Sequence, residues 1–121
     1  MWICLSDSFL SCVASDRDPT VLMVRARRRG DIEAVFGDAY PVLTLDGRDY
    51  QFRAFIPRAV VGEVIAKALM DIDYGNFKNS VKDSYLHDAY AEVWGVIAGL
   101  QEIRPYDTNP RAGFRKHPQR V

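Results

Sequence analysis

His87 is the one histidine in residues 1–100, and Asp83 stands four residues before it. On a helix that spacing lets a carboxylate orient an imidazole, as general acid–base catalysis requires. A working dyad also needs a nucleophile, and the nearest in sequence, Ser84, falls on another side of such a helix. A surface or half-buried histidine is the plainer reading of His87. Asp71-Ile72-Asp73-Tyr74-Gly75 opens like a calcium loop, because alternate carboxylates can converge on a hard cation. Its glycine comes one place early, and the twelfth position, where a bidentate glutamate belongs, is Lys82. The segment therefore reads as a capped turn between helices. Cys4, Cys12, His87 and His117 show no zinc-ligand spacing. With no glycine-rich phosphate loop, nucleophile elbow or paired catalytic carboxylates, the sequence nominates no catalytic residue, no metal and no cofactor.

Binding chemistry has more to work with. Arg25, Arg27, Arg28, Arg29 and Arg53 form the densest basic group, and an open sheet face binds single-stranded nucleic acid when aromatics interleave with such residues. Only Phe55 joins them by alternation, so a solvated or charge-protected sheet face is the competing reading. Tyr90 and Trp94 lie at i, i+4 beside Leu86 and Ile97, a stripe able to dock a partner, although aromatics at this spacing usually face a core. Asp83, Asp88 and Glu92 give the same helix an acidic flank suited to a basic partner. Arg25, Arg27, Arg53, Asp83, Asp88, Glu92 and Trp94 are the candidate partner-binding residues.

These residues need elements to hold them. Residues 2–5 and 9–14 are short apolar runs around Ser6-Asp7-Ser8, and a three-residue loop there would set Cys4 opposite Leu10 and bury both thiols. Residues 20–27 alternate, with Leu22, Val24 and Ala26 on one face and Val21, Met23, Arg25 and Arg27 on the other. Gly30-Asp31 supplies an N-cap for a short helix over 32–36, closed by Gly37. Residues 41–45 and 50–55 flank Asp46-Gly47, a hairpin signal, with Tyr50, Phe52 and Ala54 expected on the core side and Arg53 and Phe55 away from it. Apolar residues at helical spacing then predict one helix over about 57–73 and another from 79 or 80 to 100, the second burying Leu86, Ala89, Tyr90, Val93, Ile97 and Leu100. This order predicts an α+β fold: a mainly antiparallel sheet of about five strands, a short helix and two longer C-terminal helices packed on one face. Residues 1–101 are expected to form a single domain and 102–121, which hold Pro105, Pro110 and Pro118 and five basic residues against two acidic, a flexible basic tail.

Met1-Trp2-Ile3, Phe9 before a Ser-rich strand, Tyr50-Gln51-Phe52-Arg53-Ala54, Asp71-Ile72-Asp73-Tyr74-Gly75-Asn76-Phe77-Lys78 and His87-Asp88-Ala89-Tyr90 with Val93-Trp94 resemble a family of short uncharacterised bacterial proteins also met on mobile elements and prophages. The resemblance covers about residues 1–100. It implies a cytoplasmic setting and carries no established activity to transfer. Members usually place glycine before the first Phe, where this chain has Ser8, which leaves the shape of the first turn open.

The chain has 121 residues, with 16 Lys and Arg balancing 16 Asp and Glu, so no overall basic field draws it to nucleic acid or anionic lipid. Two cysteines make no disulfide framework, and no Lys or Arg precedes the first apolar run, which Asp7 interrupts. No run approaches a membrane span, so a cytoplasmic location and no membrane partner are expected. The functional expectation is a non-enzymatic protein-interaction module, with a protein or nucleoprotein complex as partner. One form would be an inhibitor or modulator of a host complex, in the manner of anti-CRISPR proteins. The alternatives are a nucleic-acid-binding domain using the arginine-bearing sheet face, and a small enzyme or ligand-binding domain with a site near His87.

Overall fold

The computed structural model describes residues 1–103. Strands β1 (Trp2–Cys4), β2 (Phe9–Ala14) and β3 (Val21–Ala26) lead into helix α1 (Asp31–Phe36), then β4 (Leu43–Thr44) and β5 (Phe52–Pro57), then helices α2 (Arg58–Met70), α3 (Phe77–Ser80) and α4 (Ser84–Ala98). The sheet is antiparallel throughout in the order β1-β2-β3-β5-β4. This is the expected α+β fold. The expected tail over 102–121 lies, from residue 104, outside the described residues.

Alternation along β3 and β5 builds the main core as expected. Val24 pairs with Ala54 and Ala26 with Phe52, and all four are buried. Leu10 and Cys12 of β2 share this face, which α1 covers with Ile32 and α2 with Val61. Burying each large aliphatic side chain here contributes about 1.5–3 kcal/mol. Strand β5 runs straight into α2: Pro57, at φ −52° and ψ 135°, is the last strand residue and the N-cap. The Arg58 N–H then donates to the Thr20 carbonyl at 2.8 Å, tying the helix start to the entry of β3.

Several expectations need correction. The β1–β2 loop holds four residues, 5–8, closed by the Leu5 N–H on the Ser8 carbonyl at 2.9 Å. Cys4 consequently pairs with Phe9, and a one-residue slip of register moves a side chain to the other face. Cys12 is buried as expected, whereas Cys4 is exposed. Asp31 does not cap α1. Gly30, at φ +93°, is the N-cap, a conformation in which an added Cβ is strained, and the Asp31 carboxylate turns inward instead. Helix α2 ends at Met70, short of the expected 73, and Leu69 in its last turn and Ile72 just beyond it are exposed.

The last expected helix starts at Ser84 rather than at 79 or 80 and ends at Ala98, and a separate short helix, α3, lies before it. Asn76 caps α3 by accepting from the Asn79 N–H, and Asp83 caps α4 by accepting from the Leu86 N–H at 3.0 Å. Both caps precede Leu86, so the expected apolar repeat from Leu86 to Ile97 falls within α4, and each cap satisfies N–H groups that open its own helix. The two long helices also bury into separate clusters. Val61 of α2 joins the sheet core, whereas Leu86 and Tyr90 of α4 join Val81, with Phe9 and Phe77 packed against them. Phe9 alternates with Leu10, so α4 docks where β2 turns its other face outward.

Candidate functional site

The base of α4 is a polar clamp on the β1–β2 loop. The Tyr90 hydroxyl shares its one proton between the Ser8 carbonyl at 2.8 Å and the Leu5 carbonyl at 3.0 Å, and Ser6 Oγ meets Ser80 Oγ at 2.7 Å. Burial away from water pushes the Tyr90 phenol well above its ordinary pKa. Below it, the buried Asp31 carboxylate accepts from the Phe9 N–H at 3.1 Å and from the Arg28 guanidinium at 3.0–3.2 Å. Arg28 also donates to the Asp7 carbonyl at 3.2 Å and pairs with Asp83 at 3.4 Å. The Leu86 N–H first, and the Arg28 charge second, hold the Asp83 carboxyl below the usual carboxylate range. Asp83 is therefore a structural cap and ion-pair partner, and its contacts point into the molecule.

One turn beyond this clamp the helix meets no further element among the described residues that buries it. Val93 is 47% exposed, Ile97 57% and Leu100 80%, against the expectation that all three are buried. Together with Phe77, Tyr90 and Trp94 they line an open groove of about 730 Å³. A smaller cavity of about 280 Å³ adjoins it, sharing Tyr90 and Val93 and walled by Trp2, Cys4 and Phe9. Lys78 Nζ lies 4.7 Å from the Trp94 ring centroid. Asp88 and Glu92 are exposed on the same helix, and Asp88 Oδ1 lies 3.5 Å from His87 Nδ1. Of the sequence candidates Trp94 lines this groove, Asp88 and Glu92 lie outside its lining, and the exposed aliphatics were missed. A usable signal existed, since Val93, Trp94, Val96 and Ile97 occupy more of the helix circumference than one contact stripe can bury.

The other arginine candidates come together on the sheet. Arg25 and Arg53 are direct cross-strand partners. The guanidinium carbons of Arg25 and Arg27 lie 4.4 and 4.2 Å from the centroid of the Tyr50 ring. Tyr50 is buried as expected, but beneath these arginines, because it precedes β5 in an irregular segment where strand alternation does not apply. Arg27 is further engaged by the Asp49 carbonyl at 2.8 Å and its carboxylate at 3.3 Å.

His87 faces Asp88; its link to Asp83 is a backbone bond from its N–H to the Asp83 carbonyl at 2.9 Å. The Cys4 thiol, though exposed, is held above its ordinary pKa by partial desolvation, which disfavours the nucleophilic thiolate. Among the described residues no three His, Cys, Asp or Glu side chains converge as a metal site would require. In the calcium-like segment, Asp71 instead forms an ion pair with Lys67. No described helix is long and apolar enough to cross a membrane. Comparison with protein-family models, with curated proteins and with solved structures finds no match.

Proposed function

We propose that this protein is a non-enzymatic interaction module whose contact surface is the exposed C-terminal half of α4. The observation that supports this reading is the exposure of Val93, Val96 and Ile97, and of Leu100 just past the helix end, on a helix whose first half is firmly anchored. Exposed apolar patches of this kind mark interaction sites more often than isolated surface aliphatics do. The partner is a protein offering apolar side chains, because Phe77, Tyr90, Val93, Trp94 and Ile97 line the groove while the acidic Asp88 and Glu92 are exposed outside its lining. The module works in the cytoplasm, consistent with Cys4 and Cys12 being free thiols on opposite faces of the sheet. The resemblance to mobile-element proteins gives the proposal a concrete form: an anti-CRISPR-like modulator of a host protein or nucleoprotein complex.

The test is affinity capture from lysate of the source cells with wild-type protein and with Ile97→Asp/Leu100→Asp. Truncating one anchor of a protein interface costs about 2 kcal/mol or more, so the double variant is expected to lose the captured partner by well over tenfold. A partner identified this way must also bind in purified form with the same loss. Unchanged capture by the double variant, or no saturable partner for the wild type, overturns the reading.

A further inference from the structure

We propose that the sheet face opposite α1 and α2 binds single-stranded nucleic acid, with Arg25 and Arg53 on its phosphates and Phe55 and Trp2 against its bases. Cross-strand register puts these side chains on one face. Trp2 pairs with Ser11, Ser11 with Arg25 and Arg25 with Arg53, and the neighbouring row runs from Val13 through Met23 to Phe55. The cores of α1 and α2 lie on the other side.

Like charges directly opposite each other destabilise a sheet, yet neither Arg25 nor Arg53 forms an ion pair with a carboxylate among the described residues. Their acceptors are weak. Arg25 donates to Ser11 Oγ at 2.8 Å, while Arg53 reaches only the Tyr50 carbonyl and the Met23 sulfur, each at 3.5 Å. The Arg25 Nε is buried with no hydrogen-bond partner among the described residues. An oxyanion lodged between the two guanidiniums supplies the missing countercharge. Aromatic rings decide which polyanion fits. Phe55 and Trp2 are 40% and 71% exposed on this same face, offering the π surfaces on which unpaired bases stack and for which an acidic peptide has no use. An open antiparallel sheet with aromatics beside basic residues is a geometry that single strands occupy in other folds. This surface meets the α4 region at Trp2, which also walls the smaller cavity beside the groove, whereas Arg25, Arg53 and Phe55 lie outside the lining of both, and the test rests on those three.

The experiment is fluorescence anisotropy of labelled single-stranded DNA and RNA oligonucleotides of mixed sequence with the full-length chain, across a salt series. Variants are Arg25→Gln/Arg53→Gln, Phe55→Ala and Ile97→Asp/Leu100→Asp, each checked for folding by circular dichroism. Binding is expected to weaken as salt rises, and the double arginine variant to lose about 1.4 from the log–log salt slope, the value for two phosphates on a single strand. Phe55→Ala, at an exposed position that leaves the fold intact, is expected to weaken binding about tenfold with the slope unchanged. The α4 variant is expected to bind as wild type. Absence of binding at low salt overturns the proposal, as does binding that survives both the arginine and the Phe55 changes. Equal competition by an oligoglutamate peptide overturns it in favour of an acidic protein segment.

Discussion

The first half of α4 is fixed by Asp83, Leu86 and Tyr90, whereas Val93, Ile97 and Leu100, one to three turns farther along, meet solvent. Both halves carry apolar residues at the same helical spacing. What separates them is the presence of something to pack against. The first half meets Phe9, Phe77, Val81 and the carbonyls of the 5–8 loop, and the second extends past them. A periodic apolar stripe thus reports that a helix has a face to bury, and leaves open whether the same chain supplies the cover.

The sharpest way to break this contrast is at Tyr90. Tyr90→Ala removes a buried ring and is expected to cost about 3–5 kcal/mol in urea unfolding. Tyr90→Phe keeps the ring and removes the hydroxyl donor from the Leu5 carbonyl, while the Ser8 carbonyl keeps the Leu5 N–H, costing about 1–2 kcal/mol. A loss below that for the alanine variant would place the anchor elsewhere. The same residue sets an alkaline limit. Its folded pKa lies above its ordinary value, so its contribution is fully present below the ordinary tyrosine range and is lost as pH rises through and beyond it. Wild-type stability is therefore expected to fall with rising pH in that window, and Tyr90→Phe to flatten the decline.

Asp83 gives the next effect. Asp83→Ala is expected to destabilise the protein as a lost helix cap, by less than Tyr90→Ala does. Because the folded Asp83 pKa is depressed, its contribution is present above the ordinary carboxylate range and lost as pH falls through the folded value. The variant should therefore show a shallower acid limb in a stability–pH profile. The smallest effect belongs to the exposed half. Ile97→Ser and Leu100→Ser are expected to change stability by no more than about 0.5 kcal/mol, and amide exchange to speed up along α4 from Leu86 to Ile97. Strong destabilisation by either serine variant would show that this half is covered within the protein itself.

Where local pattern and tertiary structure coincide, the fold could be read from the sequence. The alternation of 22–26 and 52–54 placed Val24, Ala26, Phe52 and Ala54 inward and Arg25 and Arg53 outward, as the structure has them, because central antiparallel strands with one covered face leave little choice of register. Tyr50 was readable as buried but not as a ring beneath Arg25 and Arg27, since the segment between Leu45 and Gln51 is not a strand. The first hairpin was ambiguous by one residue, enough to move Cys4 from an inner to an outer face. Asp31 looked like a cap. Its actual role depends on Phe9 and Arg28, and the contact with Phe9 crosses 22 residues that no local window spans.

The Tyr90 contacts join residues 82 and 85 positions apart in the chain. Closing so long a loop carries its entropic cost before any contact offsets it, which makes this junction a late event in folding. During synthesis the β1–β2 hairpin emerges before the helix that clamps its loop, and it must wait with a bare loop for almost the whole described sequence to leave the ribosome. Until then β1, a three-residue edge strand, is the part of the nascent sheet most open to mispairing or capture by a chaperone.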